Sequence, residues 1–215
     1  MPANAEETRA QLIRAAERLF AEKGVEATSL REINREAGQR NASALQYHFK
    51  NRQGLLQAIL QKHDLAVDAS RSLLLDEIEG TQATLHQFSA ALVQPAAEKL
   101  ADRDGGRAYL RILAQLVNGY RPGVDPIELV STSESLSRWR EMVVPLMPPL
   151  AVAPLHSRFT AGRIMLIELA RRAETRRRQD DRLFTSHLID LIAAILGAPV
   201  SAQTETLLNE RATRG

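Results

Sequence analysis

Between Ala37 and His63 the chain has no Asp or Glu, yet it carries Arg40, Lys50, Arg52 and Lys62. Within that stretch Ser43, Gln46, Tyr47 and His48 come just ahead of Lys50 and Arg52. These side chains suit recognition of a polyanion with readable edges. A Gln amide pairs bidentately with adenine, a Ser hydroxyl donates or accepts at either base type, and the methyls of Ala42 and Ala44 meet thymine. Tyr hydroxyls and Arg or Lys cations bind phosphate, which fixes register without reading sequence. A surface stripped of acids is what a phosphate backbone requires, although a solvated basic helix face has the same composition. Tyr47 also suits packing, and His48 suits packing or capping.

Those residues need elements that hold them outward. From Thr8 to Lys23, Leu12, Ile13, Ala16, Leu19 and Phe20 share one stripe at helical spacing, and Gly24 follows where a left-handed cap ends a helix. Ser29 and Glu32 have capping-box spacing, which starts a short second helix from Leu30 to about Ala37. Gly38 then permits a sharp turn. Asn41 is a suitable N-cap for a third helix through His48 or Phe49, on which Leu45 and Phe49 share the inward face. Asn51 caps a fourth that starts at Arg52 and carries Leu55, Leu56, Ile59 and Leu60. The arrangement is helix, tight turn, helix, with the third helix free to enter a major groove.

Composition agrees with a helical protein. Of 215 residues 44% are hydrophobic and 25% charged, near the globular average, while aromatics are only 4%. Ala, Leu, Glu, Arg and Gln dominate and β-branched alternation is scarce, so the expected class is all-α. MPANAEETRA lacks the basic start and apolar core of a secretory signal, and no apolar run reaches membrane-spanning length. With no cysteine, a disulfide framework or thiolate site is excluded, and the cytoplasm is the expected compartment. No glycine-rich phosphate loop or grouped metal ligands occur, and the five histidines are scattered, so neither an enzyme, a cofactor nor a metal is expected.

The run TRAQLIRAAERLFAEKGVEATSLREINREAGQRNASALQYHFKNRQGLLQAIL resembles the N-terminal domain of TetR family transcriptional repressors, over roughly residues 6–66. The likeness lies in Phe-x-x-x-Gly closing the first helix, a Thr-led second helix with Ile at its centre, an Ala-Gly turn, an aromatic-ended third helix, and Phe-x-Asn-Arg before Leu-Leu. The resemblance implies a helix-turn-helix DNA-binding domain at 6–66, joined to a helical effector-binding and dimerisation domain at 67–215. It assigns base reading to the third helix and phosphate binding to that helix's Tyr, roles that fall by position to Gln46, Tyr47 and His48, and Ser43 and Ala44 join them as expected DNA contacts. Backbone contacts fall to Arg52 and Lys50 and to Thr28 and Ser29 at the start of the second helix, and Arg40 and Asn41 are further DNA-binding candidates. Arg52 opens a helix, where its charge opposes the macrodipole unless an anion is near.

Beyond residue 66 the pattern is helical throughout: Thr84 to Ala101 with a kink at Pro95, Arg107 to Asn118, Glu134 to Leu146, about Leu155 to Arg176, and Asp181 to Leu196. GYRPGVDP, Gly119 to Pro126, is a loop. The last two helices carry more apolar face than a small domain covers, which predicts a homodimer and hence a near-palindromic duplex operator. The Arg-rich segment from Arg171 to Arg178 is expected as a solvated helix end. The resemblance further implies an unidentified small-molecule effector, for which Tyr109, Leu113, Tyr120, Trp139, Arg158 and Phe159 are candidate contacts. The function expected is a repressor released by that effector. A helical adaptor that binds only protein is the alternative, and it leaves the acid-free stretch unexplained.

Overall fold

A computed structural model describes residues 2–39, 43–119, 133–148, 158–175 and 180–212. The described residues are helices and their connections, with no strand among them. The first four helices are α1 (Pro2–Lys23), α2 (Leu30–Glu36), α3 (Ala44–Phe49) and α4 (Arg52–Ile78). They are followed by α5 (Leu85–Ala97), α6 (Gly106–Asn118), α7 (Glu134–Val143), α8 (Thr160–Glu174), α9 (Arg182–Gly197) and α10 (Ala202–Ala212).

The local signals behave as their chemistry requires. Ser29 Oγ accepts from the Glu32 amide at 3.2 Å, and Glu32 Oε2 accepts from the Ser29 amide at 3.0 Å, so both halves of the capping box form. Thr84 and Gln87 form a second box at the start of α5. Gly38 takes a φ of +68° at the α2 turn. Pro95 lies in the last turn of α5, and three residues beyond it the chain tightens into a 3-10 turn, Glu98–Leu100, so α-helical geometry stops short of Ala101.

Two apolar clusters divide the chain. The first gathers Leu12, Phe20, Ile33, Leu45, Leu55 and Ile59, together with Ile112 from α6. The second gathers Leu75, Leu92, Leu110, Trp139, Leu169 and Ile192 among others. Each fully buried Leu or Ile contributes about 1.5 to 3 kcal/mol relative to an exposed one, so both are sizeable stabilising units. Helix α4 runs unbroken through both, well past the point where its apolar spacing becomes irregular. That irregularity has a cause: Asp64, Asp68 and Arg71 stand on the inward face where hydrophobic residues would mark the helix.

A polar joint links the clusters. Glu17 of α1 is 2% exposed. Its Oε1 lies 2.9 Å from His63 Nε2 and accepts from Lys62 Nζ at 3.0 Å, both from α4. Lys62 also donates to the Asp104 carbonyl at 2.9 Å. A Cβ on Gly105 would come within 2.4 Å of Glu17 Oε2, so the loop before α6 reaches the carboxylate only because that residue is glycine. On the next turns of α6, Gln115 Nε2 donates to the Phe20 carbonyl at 3.0 Å and its oxygen accepts from the Val25 amide at 3.2 Å. Helix α6 thus closes the end of α1 with one face and packs into the larger cluster with another.

Candidate nucleic-acid interface

Helix α3 is short, and its orientation is set by two anchors. Leu45 is 1% and Phe49 6% exposed, four residues apart on one face and packed in the first cluster. The Arg9 guanidinium sits 5.3 Å over the Phe49 ring and covers it from α1. The opposite face is therefore held outward. There Ser43 and Gln46 are exposed, and Tyr47 is 82% exposed. His48 is half-buried and meets the Tyr47 ring edge-on at 5.1 Å. Ala44 is half-buried at the start of the helix. Arg40 and Asn41, expected to precede it, lie outside the described residues.

The junction between α3 and α4 is tight. Lys50 has φ 64° and ψ −50°, and the Asn51 amide donates to the Phe49 carbonyl at 2.7 Å, which is a γ-turn centred on a lysine. Such a backbone costs roughly 1 to 3 kcal/mol and persists only where surroundings impose it. They do so here. Asn51 accepts from the Gly54 amide at 2.9 Å, and a Cβ on Gly54 would fall 2.2 Å from the Phe49 carbonyl oxygen. The α4 amino end abuts the α3 carboxyl end, and Lys50 between them is exposed.

Arg52 differs from expectation. Its Nη1 donates to Glu26 Oε2 at 3.1 Å and its Nη2 to the Thr28 carbonyl at 3.0 Å, while Nε is buried without an acceptor. The macrodipole penalty foreseen for a cation opening α4 is thus met from inside the fold, and a phosphate must compete with Glu26. Nothing local in the sequence marks Glu26 for this, since it lies 26 residues away. Thr28 requires a correction as well. It is fully buried, and its hydroxyl donates to the Gly24 carbonyl at 2.8 Å and the Leu19 carbonyl at 3.3 Å. Its side chain ties the α1–α2 turn and is absent from the surface. Ser29 is exposed, but its hydroxyl is engaged with Glu32. Hydrogen bonds from the Ser29 backbone, then from Lys23, hold the Glu32 carboxyl at about 2.

A cavity of about 660 Å³ opens in the larger cluster, and Tyr109, Leu113, Trp139 and Phe159 line it. Tyr120 lies outside the described residues. Arg158 does not line the cavity. Its guanidinium donates to the Leu196 carbonyl at 3.3 Å, tying the start of α8 to the end of α9. The polar wall comes instead from α4: Asp64, Asp68 and Arg71, spaced so that they share one helix face. Tyr109 donates to Asp64 Oδ1 at 2.6 Å. Burial pushes the Asp64 carboxyl up and, with Asp64 beside it, pushes the Tyr109 hydroxyl well above its ordinary value. The i, i+4, i+7 spacing of these three residues was the available signal, but polar residues at helical spacing ordinarily mark a solvated face.

The profile of the family described as bacterial regulatory proteins, tetR family, matches residues 12–59. The HTH-type transcriptional regulator TtgR of Pseudomonas putida is 44% identical over 72 residues, covering 32% of this chain and 34% of the relative. The probable HTH-type transcriptional regulator ArpR, also of Pseudomonas putida, matches to the same extent. The match therefore spans about a third of the length of these curated relatives. The crystal structure of NalD, the secondary repressor of the MexAB-OprM multidrug efflux pump in Pseudomonas aeruginosa, aligns with a TM-score of 0.51 at 22% identity, over 91% of this chain and all of that one. That likeness is one of fold. The sequence likeness runs through the same helices that expose α3: residues 12–59 match the model of the bacterial regulatory proteins of the tetR family, and this N-terminal part is similar to those of the two regulators.

Proposed function

We propose that this protein is a cytoplasmic, homodimeric transcriptional repressor that binds a near-palindromic duplex operator through α3 and leaves it when a small molecule fills the cavity. One observation carries the reading: α3 is pinned by Leu45 and Phe49 while Gln46 and Tyr47 face solvent beside Lys50. Six residues at 1.5 Å rise span about 9 Å, which fits a major groove about 12 Å wide. In this reading Gln46 and Ser43 face base edges, and Tyr47, His48 and Lys50 bind phosphate. Arg52 binds phosphate after exchanging Glu26. Ser29 contributes at the α2 amino end, and Arg40 and Asn41, which precede α3 in sequence, add to the DNA contacts.

Dimerisation is supported by apolar side chains left uncovered on the last long helices. Ile164 on α8 is 36% exposed, and Leu183 and Leu191 on α9 are 86% and 44% exposed. A two-fold dimer engages half-sites about 34 Å apart, or one helical turn. Release is supported by α6, whose Tyr109 and Leu113 line the cavity while Ile112 and Gln115 contact the N-terminal cluster. Tyr109 also stacks on His63 at 4.7 Å between ring centres, and His63 meets Glu17 of α1. That is a continuous packed path, and coupling along it requires two arrangements of α6. Catalysis forms no part of this reading.

The test is a gel shift of the full chain on duplex DNA from upstream of its own gene, across a salt series. Each phosphate contact adds roughly 0.9 to the slope of log affinity against log salt, so a dimer with several contacts loses binding steeply. No retained band at low salt on any fragment, with the protein folded and dimeric, excludes the repressor and leaves the protein-binding adaptor.

A further inference from the structure

The cavity wall holds one polar group whose partners fall short of what it can bind. Arg71 is 6% exposed and lines the cavity. Its Nη1 donates to Ser135 Oγ at 3.0 Å and to Ser133 Oγ at 3.4 Å, both neutral acceptors, while Nε is buried with no acceptor. Asp68 and Asp64 act on it through space, without a direct hydrogen bond. Both carboxylates have donors of their own. Asp68 accepts from the Ser135 amide at 3.2 Å and from the Ser135 hydroxyl, and Asp64 accepts from Tyr109 at 2.6 Å.

A buried guanidinium is costly unless paired with charge and fully hydrogen-bonded. Charge counting does not identify what belongs beside it, since Asp64, Asp68 and Glu134 line the space along with Arg71 and Arg140. Donor and acceptor counting does: the acids of the α4 wall are supplied, and the arginine is not. Burial also raises Asp64, which then yields its charge more readily than a free aspartate and opposes an incoming anion less. The opposite walls are apolar and aromatic, with Trp139 and Phe159 in edge contact at 6.1 Å and the Arg140 guanidinium 5.5 Å over the Phe159 ring.

We propose that the cavity takes an amphipathic organic acid, its carboxylate on the Arg71 guanidinium and its apolar body against Trp139, Phe159 and Leu113. An Arg fork is matched to a carboxylate by planarity and charge, which a lone hydroxyl or a cation is not. The cavity volume falls within the range of drug-sized ligand sites, about 300 to 1,000 Å³. The proposal rests on the effector reading of this cavity and names the class of ligand.

Trp139 is the single tryptophan of the chain and lines the cavity, so its emission reports occupancy directly, without DNA. Decanoate, decanol and decylammonium, each below its micellar concentration, are titrated into the full-length protein. Decanoate should give a saturable change, with decanol about tenfold or more weaker, as expected for loss of a charged hydrogen bond, and decylammonium weaker still. Arg71→Met should bring decanoate to the affinity of decanol while leaving decanol unchanged, and Arg71→Lys should fall between. If Arg71→Met does not fold, the wild-type ranking and the Lys variant decide. Decylammonium binding as tightly as decanoate, no saturable response to decanoate, or decanoate binding that ignores Arg71 would each overturn the proposal. Anisotropy of a labelled operator duplex is read in parallel. A saturable, Arg71-dependent Trp139 response with operator binding unchanged supports the ligand class and sinks release, whereas release by decanoate without a Trp139 response sinks the ligand class.

Discussion

Helix α4 carries two arginines, Arg52 at its first residue and Arg71 nineteen positions on, roughly 28 Å along the axis at 1.5 Å per residue. Both have a buried Nε without an acceptor. They differ in what surrounds the rest of the guanidinium. Arg52 is about one-third exposed and pairs with Glu26, itself 82% exposed, in water that makes one anion nearly as good as another. Arg71 is buried, hydrogen-bonds among the described residues only to two serine hydroxyls, and feels Asp68 and Asp64 through space without a direct bond. The same side chain is thus an exchangeable contact at one end of the helix and an unmet requirement at the other. The comparison teaches that a partner's value depends on desolvation before it depends on distance.

The joint between the two regions should give the largest effect when broken. Glu17→Ala removes the carboxylate within hydrogen-bonding distance of buried His63 and leaves Lys62 with the exposed Asp104. Urea unfolding should show a loss of about 3 kcal/mol, the order expected when one partner of a buried pair is deleted. A loss below about 1 kcal/mol would mean that the joint is a solvated contact like that of Arg52. Lys50→Gly comes next. Glycine accepts a positive φ, so the variant should gain about 1 kcal/mol in stability while binding DNA less tightly on every sequence. Stability and affinity moving in the same direction would show that the turn is not strained.

Glu26→Gln should leave the unfolding midpoint unchanged and tighten DNA binding several-fold, because phosphate no longer displaces a carboxylate from Arg52. Weaker binding would mean that Glu26 positions Arg52 and does not compete for it. The smallest effect is the pH response of α2. The Glu32 carboxyl is held at about 2 against an ordinary 4.5, chiefly by the Ser29 amide. A carboxyl depressed in the fold stabilises it above the ordinary value, and that contribution is lost as pH falls through the window from about 4.5 to 2. Amide protection at Ser29 and Glu32 should fall across that window, and Glu32→Gln should remove the pH dependence.

The legible parts of the molecule were local ones. Ser29 with Glu32, Asn51 before Arg52, and Leu45 with Phe49 act within one helical turn, and the sequence states them directly. The carboxyl half of α4 was hard to read, because Asp64, Asp68 and Arg71 sit inward among Val67 and Leu75 while Leu65 and Leu73 face outward, at 70% and 66% exposure, which interrupts the amphipathic pattern. Helix α10 was missed for a related reason. Its described side chains are mostly exposed, so no apolar stripe announces it. At the candidate interface Gln46 and Tyr47 were readable as an outward rim, whereas the burial of Thr28 and the pairing of Arg52 with Glu26 depend on how α1, α2 and α4 meet. The aromatic lining of the cavity was visible as residue types, but its polar wall was not, since α4 and α7, far apart in sequence, must pack before Ser135 reaches Arg71.

The central claim is that the rim of α3 reads bases while cations beside it grip the backbone. It is tested by measuring Gln46→Ala and Arg52→Ala against the wild type on an operator and a panel of its single-base variants at fixed salt. Gln46→Ala should lose discrimination at one base position in each half-site, worth about 1 to 3 kcal/mol there, while Arg52→Ala weakens every duplex alike. Uniform weakening by Gln46→Ala on all sequences, non-specific DNA included, would contradict base reading by α3.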